Sequence, residues 1–259
     1  MISCIILLIS CNENRKLKFN PVLNKVYHFS LSKYSVKSWT CQSIPYKIPD
    51  TVYMNFSLQN IQNTDSSVSC KLVLNEFIWK GKFKVNYKRD SLHALSILVV
   101  LSDSGKVIYV QSTDEMLHDI EKDSATGKYL SGVIPDQMSE SAITDMLNRI
   151  FSIIPSNNVQ PGNTWISDIT LVTNHPAGIS NFNVLKSQNG DTTEIEIQSH
   201  AFARPSPGDE PYIQENQAES ALVSYSTGIL FCYSTQSEII TKTSFYDVHQ
   251  LEKFILKLE

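Results

Sequence analysis

Apolar and polar residues alternate along most of the chain after residue 20, which predicts β-strands. The clearest alternating runs span residues 52–59, 83–88 and 194–198. A strand of this kind has one face for an apolar core and one face for water, as in antiparallel sheets. Turn-forming residues separate the runs at positions 63–65, 104–105, 189–191 and 227–228. The sequence therefore predicts a mainly β protein, of the α+β class, built from antiparallel hairpins.

The two halves of the chain resemble each other in strand and turn spacing. Residues 55–65 align with residues 181–191 at five identical positions (Asn, Phe, Gln, Asn and Asp), and this alignment makes Phe56 equivalent to Phe182. The alternative is the chance recurrence of common hairpin residues.

The match continues on both sides of these hairpins. Residues 24–27 stand where residues 162–165 stand in the second half, and residues 98–107 are similar to residues 221–229. The sequence therefore predicts a duplicated antiparallel β-meander that forms curved sheets.

One stretch has helical rather than strand periodicity. Its apolar residues recur at intervals of three and four from Met138 to Ile154, and Pro135 and Pro155 flank it. We expect one amphipathic helix between the two copies, with its apolar stripe packed on the sheet face that the strands leave uncovered. The final stretch, residues 251–258, alternates and favours a last strand.

The beginning of the chain contains a candidate export signal. Residues 2–9 are mostly apolar; this run is far shorter than the roughly 20 residues that span a bilayer, but it matches the apolar region of a signal peptide. Leu8-Ile9-Ser10-Cys11 resembles a bacterial lipobox, and a polar stretch follows it. The resemblance implies cleavage between Ser10 and Cys11 and acylation of Cys11, which would attach the protein to a membrane. Asn12 after the cysteine favours the outer membrane.

A signal peptide normally has Lys or Arg before its apolar region, and residues 1–5 have neither. Either the start codon lies upstream or the motif is accidental, in which case residues 4–9 would form a buried first strand. The predicted segments are a lipoprotein signal segment (1–11), a tether (12–20), the first meander copy (21–134), the connecting helix (135–156) and the second meander copy (157–259).

Composition and charge exclude several classes of protein. The 259 residues are 42% apolar and 19% charged, which excludes disorder for the bulk of the chain and is sufficient for a core. The formal net charge of −4 is unlike that of a nucleic-acid-binding protein. We expect no nucleic-acid partner.

No residue pattern predicts catalysis. The six histidines are dispersed, at positions 28, 93, 118, 175, 200 and 249, and no two have the spacing of metal ligands. His118 lies near Glu115, Asp119 and Glu121 in a polar stretch, which favours a solvated face over a metal site. We expect no catalytic residue, no metal and no cofactor.

Cysteines and tryptophans leave alternatives open. Beyond the signal segment the cysteines are Cys41, Cys70 and Cys232; an export compartment would permit one disulfide, but their spacing does not select a pair. Cys70 lies on the apolar face of an alternating strand, as a core thiol would. The three tryptophans, which would line a carbohydrate or lipid surface or fill buried sheet positions, are Trp39, Trp79 and Trp165; we favour burial.

Short motifs on both sides of the helix resemble those of a known group of proteins. They are Gly105-Lys106-Val107, the helix that ends at Pro155, and Val159, Gly162 and Trp165 at three-residue spacing. On these motifs the chain is similar to an uncharacterised family, a domain of unknown function, of lipoproteins from Bacteroidetes-type bacteria. The resemblance implies lipid attachment and a strand-rich segment on each side of the helix, and it supplies no catalytic residue.

These features predict a non-enzymatic, lipid-anchored protein of the bacterial cell envelope. A twisted sheet backed by a helix can leave an apolar concavity, so we expect a binding or carrier module for an apolar ligand. One alternative is an envelope scaffold that binds protein or glycan partners, and another is a hydrolase whose site residues meet only in space. A sheet face filled entirely by its own side chains would count against the concavity.

Overall fold

The computed structural model describes residues 17–41, 44–81, 84–88, 96–115, 118, 139–155, 157–171, 177–203, 213–242 and 247–259. Within these residues twelve strands form one sheet, together with helix α1. The first-half strands are β1 (Val26–Cys41), β2 (Ile44–Asn63), β3 (Ser67–Lys80), β4 (Lys84–Lys88), β5 (Ser96–Ser102) and β6 (Val107–Val110). Helix α1 spans Glu140–Phe151. The second-half strands are β7 (Thr164–Leu171), β8 (Ala177–Asn189), β9 (Thr192–Ala203), β10 (Ile213–Ser224), β11 (Leu230–Lys242) and β12 (Asp247–Leu258).

All pairs of neighbouring strands are antiparallel, and the two halves follow the same chain order from one edge of the sheet to the other. The order is β6-β5-β3-β2-β1-β12-β11-β10-β9-β8-β7, and β4 pairs with the C-terminal part of β3. Strands β1, β2, β3, β5 and β6 therefore form one meander, and β7 to β11 form the second. The predicted duplicated meander with a helix between the copies is confirmed, although both copies belong to one open sheet. The last predicted strand is confirmed as β12, which joins β1 to β11.

The backbone at the start of β1 repeats at the start of β7. Asn24 and Gly162 both have positive φ, 62° and 88°. Each donates its N–H over 2.8 Å to the second strand of its meander, at the carbonyls of Asn60 and Leu185 respectively. The predicted correspondence of residues 24–27 with residues 162–165 is therefore present in the structure.

The predicted alignment of the next hairpin is wrong by one residue. Tyr27 lies opposite Leu58, and the corresponding Trp165 lies opposite Asn183. Leu58 is thus equivalent to Asn183, whereas the sequence alignment pairs it with the residue that follows Asn183.

The slip matters because neighbouring residues of a strand point to opposite faces. Phe56 is 1% exposed in the core, whereas Phe182 is 41% exposed on the outer face. The structural counterpart of Phe56 is Asn181. The identical residues that suggested the alignment are mainly polar hairpin residues, which recur in unrelated turns.

A continuous apolar core lies between the inner face of the sheet and α1. It includes the predicted inward residues of β2, β3 and β9, namely Val52, Met54, Phe56, Leu58, Val68, Cys70, Leu72, Leu74, Ile195 and Ile197. The ring of Phe151, at the end of α1, lies 5.0 Å from that of Phe19 and 6.2 Å from that of Phe29 between centroids. Helix, sheet and N-terminal segment therefore share one packed interior.

Residues 17–20 connect the two halves at one end of the sheet. They fall in the last part of the predicted tether, yet Leu17 is fully buried. The N–H of Phe19 donates to the carbonyl of Asp103 over 2.7 Å, and the N–H of Asn20 donates to that of Thr227 over 2.8 Å. The two acceptors lie in equivalent turns, between β5 and β6 and between β10 and β11. We call this end of the sheet the proximal end and the opposite end the distal end.

Helix α1 and the residues after it contact both edges of the sheet. Ser139 caps the helix, with its hydroxyl accepting from the N–H of Ala142, while the predicted start near Pro135 lies outside the described residues. The side-chain oxygen of Asn148 accepts from the N–H of Val107 in β6 over 2.8 Å. The amphipathic helix is thus confirmed, and it lies between β6 and β7, the two edge strands of the described sheet.

The proximal end yields a stability prediction at two glycines with positive φ. A Cβ on Gly105 (φ 77°) would lie 2.8 Å from the carbonyl carbon of Phe151, whereas a Cβ on Gly190 (φ 60°) would meet nothing within 4 Å. We expect Gly190→Ala to cost about 1 kcal/mol of unfolding free energy through backbone strain alone. Gly105→Ala should cost about 3 kcal/mol, because it adds a collision with the end of α1. Urea unfolding of the two variants measures the difference, and equal losses would contradict this packing.

Candidate binding site on the inner face

The predicted anchor cannot be placed in the structure. Ser10 and Cys11, the predicted cleavage and lipidation positions, lie outside the described residues, so both stay predictions. None of the helices within the described ranges has the length and apolar character needed to cross a bilayer.

The histidines show no grouping in the described part of the chain. His28, His118 and His249 are exposed, His93 and His175 lie outside the described residues, and the side chain of His200 is outside them as well. Glu115 near His118 is also exposed, and Asp119 and Glu121 lie outside the described residues. Within the described residues, no three His, Cys, Asp or Glu side chains are grouped so as to hold a metal ion.

Cys70 is a buried free thiol, as its strand position predicts. Burial raises its pKa to about 12, so the thiol stays protonated and unreactive near neutral pH. Cys232 is also free, and the side chain of Cys41 lies outside the described part. Cys70 and Cys232 therefore form no disulfide in this structure.

Two tryptophans support the favoured interpretation of burial. Trp79 is 8% exposed and donates its indole N–H to the carboxylate of Asp50. Trp165 packs against the core and donates its indole N–H to the carbonyl of Ile153 over 2.9 Å. The latter bond joins edge strand β7 to the segment that follows α1.

Cross-strand register places polar residues side by side on the inner face. In the first group Asp50 of β2 lies opposite Ser35 of β1, and Ser35 lies opposite Glu252 of β12. In the second group Ser167 of β7 lies opposite Asn181 of β8, and Asn181 lies opposite Ser199 of β9. These six positions have the strand parity of the core residues, and we call them the polar row.

The backbone register of the first group continues onto the next two strands. Ser237 of β11 lies opposite Glu252, and Asn216 of β10 lies opposite Ser237. The row also includes deeply buried members, since Ser35 is 7%, Ser199 4% and Asn181 2% exposed. The six residues of the polar row therefore lie at the distal border of the apolar core.

An ion cluster occupies the middle of this border. The Lys33 ammonium lies 3.2 Å from a carboxylate oxygen of Glu252, and the Gln250 side chain donates to the same oxygen over 2.5 Å. Burial by itself raises the pKa of Glu252, but the positive charges of Lys33 and Arg149 and these hydrogen bonds outweigh it and hold the pKa below its ordinary value of 4.5. Glu252 is therefore an ionised, fixed acceptor at neutral pH.

The second group of the row is an amide and hydroxyl cluster. Ser199 donates its hydroxyl to the Asn181 side-chain oxygen over 2.6 Å. One step toward the core, Asn183 is fully buried and its side-chain nitrogen contacts the carbonyls of Trp165 and Asn181 and the hydroxyl of Ser167 at 3.0–3.3 Å. Among the described residues, its side-chain oxygen has no hydrogen-bond partner.

Beyond the polar row the inner face becomes apolar again and stays open to solvent. Ile44, Tyr46 and Ile48 of β2 are 55%, 44% and 43% exposed. Trp39 of β1 stacks on Tyr46 with ring centroids 5.4 Å apart. We call these four residues the distal inner face.

A separate open depression lies at the start of β7. It has a volume of about 410 Å³ and is lined mainly by polar or small residues around Trp165, including Asn157, Asn158, Asn163 and Thr164. It differs from the apolar concavity expected from the sequence. The apolar part of the inner face that α1 covers is filled by the chain's own side chains.

No sequence pattern indicates the ion cluster. Lys33, Arg149 and Glu252 lie on β1, α1 and β12, and only the pairing of the first and last strands brings two of them together. Glu252 has the strand parity of Phe254 and Leu256 in β12, but its partners depend on strand order, which the sequence pattern does not specify.

Comparison with known proteins assigns the chain to a family without assigning an activity. Residues 80–223 match the family of unknown function DUF6263. No curated protein matches the chain.

Three solved structures show weak similarity. DynF from the dynemicin biosynthesis pathway of Micromonospora chersina is 6% identical, with 93% of this chain and 83% of that chain covered and a TM-score of 0.23. The COG4313 outer membrane channel from Pseudomonas putida F1 is 10% identical, with 94% and 98% covered and a TM-score of 0.24. A DUF1329 family protein from Desulfovibrio piger ATCC 29098 is 8% identical, with 89% and 85% covered and a TM-score of 0.17. Similarity at this level supports no conclusion about function.

The ion cluster yields a pH-dependent prediction. Replacing the buried carboxylate in Glu252→Gln leaves Lys33 and Arg149 without their counter-charge, so we expect a loss of about 2 kcal/mol of unfolding free energy at pH 7. Because the folded-state pKa of Glu252 is lowered, this contribution is present above pH 4.5 and disappears as the pH falls through the folded-state pKa. Urea unfolding between pH 7 and pH 3 measures it.

The exposed Glu194 provides the control, since Glu194→Gln should change the unfolding free energy by less than about 0.5 kcal/mol. A difference between wild type and Glu252→Gln that stays constant down to pH 3 would show that the carboxylate charge is not the cause.

Proposed function

Because this chain belongs to the family of unknown function DUF6263, its function must be inferred from its own residues, and we propose a non-enzymatic binding protein for an amphiphilic molecule. The ligand lies on the inner face of the sheet, at the distal end. Its hydrocarbon chain covers the distal inner face, and its polar end meets the polar row.

The single observation behind this proposal is the contrast between the two ends of the inner face. Near α1 the inward residues are buried, for example Leu31 at 3% and Leu256 at 0% exposure. Beyond the polar row, Tyr46 and Ile48 are more than 40% exposed although they lie on the same face. Exposed apolar residues next to buried polar residues match a molecule with one apolar and one polar part.

The contrast also limits where on the inner face the predicted binding concavity can lie. A ligand has no room among the side chains under α1, because they belong to one packed core. The distal inner face has no such cover within the described residues. The binding region is therefore the open distal part of the face.

We further propose that the protein is a lipid-anchored component of the bacterial envelope, attached to the outer membrane through Cys11. The support is the sequence Leu8-Ile9-Ser10-Cys11 after an apolar run, together with the similarity to lipoproteins described above. An acylated N-terminus would keep a carrier of amphiphilic molecules close to a membrane.

Binding is tested with a matched pair of variants. We expect Ile48→Glu to weaken the binding of a fluorescent fatty-acid analogue at least tenfold, because it places a charge on the distal inner face. Leu222 is 40% exposed, close to the 43% of Ile48, but lies on the outer face, so Leu222→Glu should bind like wild type. Fluorescence titration measures both affinities, and equal effects of the two substitutions would rule out this location.

The anchor is tested separately in a bacterium that processes lipoproteins. We expect radiolabelled palmitate to be incorporated into the wild-type chain and into Cys41→Ala, but not into Cys11→Ala, which should also leave the membrane fraction. Labelling of Cys11→Ala at the wild-type level would exclude Cys11 as the attachment site.

A further inference from the structure

We propose that the ligand is a single-chain amphiphile with an anionic head group, such as a fatty acid, and that the ammonium group of Lys37 binds this head group. The inference rests on the proposed function, because it concerns the same site, and it names the chemical class of the ligand. A carboxylate and a phosphate ester present the same negative charge to an ammonium group.

Lys37 lies where the polar row meets the distal inner face. Along β1 it stands between Ser35 of the polar row and Trp39 of the distal inner face, and alternate residues of a strand share one face. Its direct cross-strand neighbours are Ile48 on β2 and Gln250 on β12. Directly opposite side chains have Cβ atoms about 5 Å apart. The ammonium group of Lys37 is therefore within reach of a ligand that covers Ile48.

Both members of this cross-strand pair are accessible to a ligand. Lys37 is exposed, and Ile48 is 43% exposed. In the described part of the chain the ion pairs join Lys33 to Glu252 and Lys186 to Glu196, and neither involves Lys37. A negatively charged group can therefore approach the Lys37 ammonium without breaking an existing ion pair.

The other charged side chains of this region already have partners. On β12, β1 and β2 the charged residues with inner-face parity are Glu252, Lys33, Lys37 and Asp50. Lys33 pairs with Glu252, which the charge of Arg149 on α1 also stabilises. Asp50 accepts a hydrogen bond from an indole N–H. These three cations and two anions leave one positive charge in excess, and Lys37 is the cation that is open to solvent.

A positive charge beside exposed apolar side chains matches an anionic head group on a hydrocarbon chain. The apolar residues continue from Ile48 through Tyr46 to Ile44, which is about 13 Å along β2. A head group bound at Lys37 lies next to the polar row, and the hydrocarbon chain then extends over these residues. A cationic head group would be repelled by the ammonium group.

The experiment compares amphiphiles that share one chain length and differ in head-group charge. Dodecanoate and dodecyl phosphate are anionic, monolauroylglycerol is neutral and dodecyltrimethylammonium is cationic. Each is titrated into the full chain below its critical micelle concentration, with isothermal titration calorimetry as the measurement. We expect the anions to bind about fivefold more tightly than monolauroylglycerol, and the cation to bind more weakly. High salt should reduce this preference by screening.

Substitutions at Lys37 assign the preference to its charge. Lys37→Met keeps an apolar stem without the ammonium group, so it should remove the preference while monolauroylglycerol binds as it does to wild type. Lys37→Glu should reverse the preference and favour dodecyltrimethylammonium over dodecanoate. A residue that acted only through packing would not reverse the order of the ligands.

Lys47 provides the matched control. It is exposed and precedes Ile48 in the chain, but its strand parity is that of the outer face. Lys47→Met and Lys47→Glu should therefore keep the wild-type order of affinities. Unfolding of each variant in urea confirms that it is folded. The anion that binds more tightly to wild type identifies the head group as a carboxylate or a phosphate ester.

The outcomes separate this inference from the proposed function. If wild type binds the anionic and neutral amphiphiles equally, or if Lys37→Met keeps the preference, the inference is wrong and the proposed function stands, because the hydrocarbon chain still binds. Loss of the preference in the Lys47 variants would also contradict the role of Lys37. If none of the four amphiphiles binds, and the fluorescent fatty-acid analogue does not bind either, the proposed function is wrong as well.

Discussion

The structure depends on burial of the inner face of an open sheet by α1 and residues 17–20. Edge strands β6 and β7 are paired on one side only within the described residues. Within these residues, therefore, no strand pairing joins the two edges of the sheet. Asn148 and the carbonyl of Ile153 provide that link instead, one to each edge. The hydrophobic effect supplies most of the stability, and these directional hydrogen bonds determine which residues of the helix meet which edge.

Much of this architecture could be predicted because the pattern of apolar residues is local. Val52, Met54 and Leu58 alternate on one strand and are buried, and the helical spacing from Ile143 to Phe151 matches the observed helix. Each of these patterns reports burial within one element. The repeat was recognisable for the same reason, since each hairpin has its own turn.

The polar row could not be predicted, because it is a property of register between strands. Ser35, Glu252 and Asn181 are each an unremarkable polar residue in an alternating strand, and only the order of the strands aligns them. The one-residue error in the aligned hairpins shows the same limit, as the turn identities at Asn63 and Asn189 do not determine which face Phe182 occupies. A shift of one residue exchanges the inner and outer faces.

The burial of Leu17 and the hydrogen bonds of Phe19 restrict how an anchored molecule would stand on a bilayer. Between Cys11 and Leu17 an extended chain spans at most about 20 Å. With the attachment proposed at Cys11, the turns at Gly105 and Gly228 at the proximal end would therefore face the lipid headgroups. The distal inner face would then point away from the membrane. A carrier in this orientation would transfer its ligand to an acceptor on the periplasmic side rather than to the leaflet in which its acyl chains are inserted.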